Sequence, residues 1–318
     1  MTDIAMIEAA ADRAKGVVRR TPLLNSPFLD EIAGRRVLVK AECLQHTGSF
    51  KFRGGWAALT ALPPDVRARG VIAYSSGNHA QGVAAAARAM DVPAVIVMPK
   101  DAPDLKISNT KALGAEVVTY DRAARESREA IGAEIAEARG LSLIKPYDHP
   151  PVVAGQGTTG LEIAEQADTE QADVLVCCGG GGLTAGIALA LEERAPAMRV
   201  RPVEPEGFDD TARSLELGER AENSGPESGF CDAILTRMPG EITFPILNRL
   251  CGPGIVVSDA EVRNAIREAF VRLKLVIEPG GAVALAAALY HGAALEGDTV
   301  IATASGGNVD PALFASLL

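Results

Sequence analysis

Apolar runs and helical stretches alternate along almost the whole chain. Short β-branched runs at 36–41, 71–74, 94–98, 116–120, 174–177, 198–203 and 299–302 are apolar at successive positions, which predicts strands buried on both faces. Between them lie alanine-rich stretches of helical spacing at 79–90, 104–114, 122–139, 151–168, 183–194, 259–274 and 281–291. Strand and helix in alternation predict an α/β fold of parallel-rich sheets flanked by helices. The stretch 218–240 has few apolar residues before Phe230 and reads as a long surface loop. In such sheets ligands bind beyond the carboxyl ends of the strands. Three turns at those ends are small, polar and rich in glycine: Ser75-Ser76-Gly77-Asn78-His79, Gly179-Gly180-Gly181-Gly182 and Ser305-Gly306-Gly307-Asn308.

Length and composition narrow the class. At about 150 residues per domain, 318 residues suggest two domains. Hydrophobic residues make up 47% and charged residues 23%, an ordinary globular balance. No apolar run approaches the roughly 18 residues of a membrane span, and the first residues do not read as a signal peptide. A net charge of -10 argues against a general nucleic-acid-binding face. It leaves open a local anion site made of backbone N–H groups. Five cysteines without metal-ligand spacing read as reduced thiols of a cytoplasmic protein.

Four segments carry candidate chemistry. The four consecutive glycines join a strand to a helix, so successive N–H groups and the helix dipole can cradle a phosphate. The bland alternative is a tight turn. Gly180-x-Gly182-x-x-Ala185 with Glu204 at the end of the next strand also fits a weak dinucleotide fingerprint, hence an NAD-binding oxidoreductase as a remote possibility. Lys51 stands between Phe50 and Phe52. An apolar setting lowers an amine pKa and readies it to form a Schiff base. In the 75–79 turn, amides and hydroxyls suit a carboxylate, though Ser76 or Asn78 could simply cap a helix. Glu204-Pro205-Glu206-Gly207-Phe208-Asp209-Asp210 could ligate a hard cation or be an acidic surface turn. An imine-forming lysine, a phosphate cradle and a carboxylate binder converge on pyridoxal phosphate.

Ser49-Phe50-Lys51-Phe52-Arg53-Gly54, Ser75-Ser76-Gly77-Asn78-His79-Ala80-Gln81-Gly82, Ala154-Gly155-Gln156-Gly157-Thr158, the tetraglycine, Ile277-Glu278-Pro279 and Ser305-Gly306-Gly307-Asn308 together resemble the serine/threonine dehydratase and serine racemase family of fold-type II pyridoxal-phosphate enzymes. The resemblance implies that Lys51 holds the cofactor and takes the substrate α-proton. Phe50 would pack near the ring, Asn78 would bind its 3-oxygen, Gly179, Gly180, Gly181 and Gly182 its phosphate, and Ser305 would face its pyridine nitrogen. Ser75, Ser76, Gly77, Asn78 and His79 would hold the substrate carboxylate. Ser76 resembles the racemases' acid/base on the ring face opposite the lysine. Glu204, Phe208 (by its carbonyl) and Asp210 resemble their Mg2+ or Mn2+ site. Arg128 matches an arginine that can approach a second carboxylate, or is a solvated helical residue.

The implied activity is a dehydratase, or ammonia-lyase, converting L-threonine, L-serine or a similar β-hydroxy amino acid to an oxo acid and ammonia. Serine racemase and threo-3-hydroxyaspartate ammonia-lyase activities are the alternatives. The implied organisation is a large domain of residues 1–65 and 147–318, a small mobile domain of 66–146, and a homodimer. Because the chain ends at 318, a regulatory C-terminal domain with isoleucine feedback is not expected.

Overall fold

A computed structural model describes the chain except residues 1, 76, 103, 122, 123, 226 and 227; residues 104 and 105 are described by backbone alone. Ser76, the candidate acid/base, therefore lies outside the described residues. Among the described residues, ten strands form two sheets. Their bounds are β1 Leu23–Asn25, β2 Arg36–Lys40, β3 Val71–Tyr74, β4 Ala94–Pro99, β5 Glu116–Tyr120, β6 Ser142–Leu143, β7 Ala172–Cys177, β8 Met198–Pro205, β9 Ile255–Val257 and β10 Thr299–Thr303. The larger sheet runs β1-β2-β10-β7-β8-β9 and the smaller β5-β4-β3-β6. All pairings are parallel except that of β1 with β2.

The seven apolar runs all become strands, and most of them are covered on both faces; β5, at the edge of the smaller sheet, leaves Glu116 and Thr119 exposed. Strands β4, β7 and β10 are buried along their whole length. The short strands β1, β6 and β9 lack a run long enough to announce them. Helix bounds differ from expectation at two places. The stretch beginning at 122 enters its helix only at Arg128, with Ser127 capping it. The stretch 259–274 is α-helical over Asp259–Glu268 and then loosens into a π-helical turn, Ala269–Leu273, that ends at Lys274 in the left-handed region (φ 60°). Among the described residues, 218–240 contains neither helix nor strand, as its polarity predicts.

The helix Lys51–Ala61 had no periodic signal, since Gly54 and Gly55 interrupt it. Packing explains it. A Cβ at Gly82, on helix Asn78–Ala89, would stand 2.8 Å from the Lys51 carbonyl. A Cβ at Gly155, on helix Pro150–Gln166, would stand 2.5 Å from the Arg53 carbonyl. Bare backbone lets three helices meet and brings Lys51 beside the start of the Asn78 helix. At the same junction Arg53 donates to Glu42 (Nε–Oε2 2.8 Å) and Glu162 (Nη1–Oε1 2.7 Å), and Lys40 donates to Glu162 (2.6 Å). Two buried cations thereby meet two carboxylates.

Candidate active site

The three glycine-rich turns follow β3, β7 and β10 and open into one cleft of about 720 Å3. Phe50, Lys51, Ser75, Gly77, Asn78, His79, Arg128, all four glycines and Ser305 line it. Lys51 is the first residue of its helix. The preceding residue is stitched to the turn after β10: Phe50 N–H donates to the Ser305 carbonyl (3.1 Å), and Ser49 bridges Gly306. The Lys51 ammonium lies 5.1 Å from the Phe50 ring centre and donates to the Pro146 carbonyl (2.9 Å). Burial lowers its pKa from 10.5 to about 8.

The tetraglycine turn is held from two sides. Gly181 has φ +86°, a left-handed conformation that caps the helix Gly182–Arg194. Thr243 Oγ1 donates to the Gly180 carbonyl (2.6 Å). A Cβ at Gly180 would stand 2.4 Å from the Tyr147 ring, so a side chain cannot fit there. Bare amides therefore meet the cleft at the N-terminus of a 13-residue helix.

Opposite lies Asn78, whose amide is oriented from both ends and keeps a second Nδ2 hydrogen to donate. Its Nδ2 donates to Glu278 (2.5 Å), and its Oδ1 accepts from Asn308 (2.7 Å). Glu278 is buried, and burial first, then nearby Asp232, raises its pKa to about 7; Asn78 and Lys106 oppose the shift. His79 is buried and donates from Nε2 to the Ile144 carbonyl (2.9 Å). Burial, reinforced by Lys51, lowers its pKa to about 3, so the ring is neutral. Ser305 is buried, with its N–H on the Gly281 carbonyl (3.2 Å). Arg128 sits over the Tyr74 ring (5.7 Å) and bonds Glu129 (2.8 Å) at the rim.

The acidic segment lies elsewhere, behind the tetraglycine strand. Glu204 is fully buried and accepts the N–H groups of Thr211 (2.9 Å) and Ala212 (2.7 Å). That orientation removes it from the role of a ribose-binding acid in a dinucleotide site. Asp210 Oδ1 accepts from Asn223 (2.6 Å), while Oδ2 is buried without a partner. Burial first, then Asp210, raises Glu204 to about 8; burial raises Asp210 to about 7. Phe208 is half-buried, with its N–H on the Pro205 carbonyl (3.1 Å). Two buried carboxylates with an orphaned oxygen fit a cation better than a surface turn. No group of three or more His, Cys, Asp or Glu is gathered for a metal among the described residues.

Several cleft residues carried no signal of their own in the sequence. Tyr147, Lys106 and Asp232 look like ordinary surface positions, and Glu278 stood out only as part of a matching motif. Their common signal was proximity to a motif residue, visible only once the strands are stacked. The buried amine, the amide cradle and the glycine that excludes a side chain together fit pyridoxal phosphate.

Comparison with known proteins agrees. The family model for pyridoxal-phosphate-dependent enzymes matches residues 14–306. The L-threo-3-hydroxyaspartate ammonia-lyase of Pseudomonas sp is 44% identical over 309 residues, covering 97% of this chain and 96% of that protein. The serine racemase of Schizosaccharomyces pombe is 38% identical over 312 residues, covering 98% and 96%. Among solved structures, maize serine racemase superposes with a TM-score of 0.92 at 35% identity, over 99% of this chain and 96% of that one. The threonine deaminase of T.th. gives 0.90 at 44% identity, over 97% and 99%. With its fold-type II architecture and its family motifs in order along nearly the whole length, the chain belongs to the pyridoxal-phosphate-dependent enzymes.

Proposed function

We propose that this protein is an ammonia-lyase that removes water and then ammonia from a small β-hydroxy amino acid, with L-serine, L-threonine and threo-3-hydroxyaspartate as the candidate substrates. The observation that carries this reading is the placement of the Lys51 amine, lowered to about 8, in one cleft with the tetraglycine amides and the 75–79 turn. Pyridoxal phosphate, when bound, supplies an electron sink for the pair left at the substrate α-carbon. Gly179, Gly180, Gly181 and Gly182 hold its phosphate, and Phe50, Asn78 and Ser305 position its ring. Lys51 Nζ anchors it and, once freed, takes the α-proton. Described parts of the 75–79 turn, with Ser76, hold the substrate carboxylate. His79 is neutral and contributes orientation rather than charge. Arg128 at the rim supports a second carboxylate on the substrate, which favours hydroxyaspartate within the panel.

Racemisation is the second reading, supported by the serine racemases among the relatives and by a serine at 76. A divalent cation between Glu204, Asp210 and the Phe208 carbonyl is part of the same proposal, supported by the orphaned Asp210 Oδ2. So are a mobile unit of residues 66–146, around the smaller sheet, against 1–65 and 147–318; a homodimer; and a cytoplasmic setting, which five unpaired thiols support. No helix among the described residues is long and apolar enough to cross a membrane.

The test is purified protein incubated with pyridoxal phosphate. The wild type should turn yellow and release oxo acid and ammonia from at least one of the three substrates. Lys51→Ala should lose both the visible band and turnover. A colourless wild type would reject the reading. Scoring the chirality of residual substrate separates lyase from racemase.

A further inference from the structure

The two walls of the cleft come from distant parts of the chain. One carries the turn after β3 and the helix Asp104–Ala112; the other is the irregular segment 228–237. Across the mouth, Lys106 Nζ donates to Asp232 Oδ2 at 2.8 Å. The Lys106 side chain is 18% exposed and that of Asp232 53%. The ammonium lies 3.9 Å from where a Cβ on Gly77 would stand, so it rests against the turn that carries Ser75, Gly77 and Asn78. On the other side, Ile234, two residues beyond Asp232, has its Cα 3.2 Å from the Cβ position of Gly179. One ion pair therefore ties the carboxylate turn to the segment that packs on the phosphate turn. Glu278, which precedes helix Pro279–Tyr290, is also within electrostatic reach of Lys106.

We propose that Lys106 and Asp232 form a clasp across the cleft, in which Lys106 is a positioning residue that seats the substrate carboxylate by holding the 75–79 turn against segment 228–237. This rests on the assignment of the cleft to an amino-acid lyase. Lys106 does no chemistry on the α-carbon, so its loss weakens substrate capture and leaves the proton transfer at Lys51 intact. The pair is partly exposed, which limits its strength and makes it sensitive to salt.

The experiment compares holoenzymes carrying Lys106→Met, Asp232→Asn, both together, and the exchange K106D/D232K. Each single variant should raise KM about fivefold, about 1 kcal/mol at 1.4 kcal/mol per factor of ten, with kcat within about twofold. The double variant should be no worse than either single one. The exchange should recover most of the lost affinity; the rise in KM with kcat kept is the part that a merely structural role does not predict. About 0.5 M salt should raise the wild-type KM towards that of the variants and leave theirs unmoved. Unchanged KM in the single variants, additive losses, or an exchange worse than both singles would overturn the clasp. The same four proteins are melted without substrate, where non-additive losses of Tm and recovery in the exchange are expected. Additive losses there overturn the clasp even for a wild type that turns over none of the three substrates, an outcome that separately sinks the lyase assignment.

Discussion

Lys51 has the chemistry of its surroundings rather than of lysine in water. Burial disfavours the ammonium and brings its pKa from 10.5 to about 8. The neutral amine is the form that attacks an aldehyde. Capture of pyridoxal phosphate by the apoenzyme should therefore accelerate with rising pH and level off above about 8, read by stopped-flow absorbance; a midpoint near that of free lysine would show the amine to be solvated. Glu278 is the opposite case. Its folded-state pKa is raised from 4.5 to about 7, so the native carboxyl keeps a proton that the unfolded chain has already lost. Stability then falls as pH rises from about 4.5 to 7 and is flat above. Glu278→Gln keeps an oxygen for the Asn78 amide and removes the charge. Apoprotein carrying it should melt above wild type at pH 8 and level with it at pH 5. A lower Tm than wild type at pH 8 would mean that Lys106 compensates the carboxylate fully.

At the scale of elements, the site is assembled from helix starts and strand ends, and what fixes them is close backbone approach and a buried charge cluster. Arg53 lies two residues beyond Lys51 and is 2% exposed, donating to both Glu42 and Glu162. Removing one partner of a buried ion pair leaves uncompensated charge, a cost of about 3–5 kcal/mol. Arg53→Met should lose about that much in urea unfolding, and a loss under about 1 kcal/mol would show that water reaches the cluster. Strands such as β4, β7 and β10 were legible because burial on both faces leaves an unbroken apolar run, and the edge strand β5 because its β-branched Val117, Val118 and Thr119 stand together. The Lys51 helix was not, because Gly54 and Gly55 lower helix propensity and serve packing instead. β1, β6 and β9, of two or three residues, have too few positions to show a period. The same division holds in the cleft. Lys51, the glycines and Asn78 declare themselves by residue type and order along the chain. Lys106 and Asp232 are charged residues like dozens of others, and only their pairing singles them out, while Glu278 stood out only within a matching motif.

The whole molecule shows a face that the active site does not use. Phe28 and Ile32 on helix Pro27–Ala33, Phe270 and Val271 on the π-helical turn, and Leu313 on helix Pro311–Leu317 are all exposed. They are neighbours: Arg272 lies over the Phe28 ring at 4.7 Å, and Phe270 meets Phe314 edge-on at 5.5 Å. Scattered apolar residues are normal on a surface, whereas ones gathered from three elements offer a candidate interaction face. A second copy of the chain is the partner proposed above, and a two-fold contact would place the same patch on both sides. Phe270→Glu with Val271→Glu puts charge on that face without entering the core, where Ala269 is the buried residue of the turn. Sedimentation equilibrium should then show a dimeric wild type and a monomeric variant, with the far-ultraviolet dichroism of the two alike. A wild type that sediments as a monomer, or a variant that remains dimeric, would move the contact between copies away from this face.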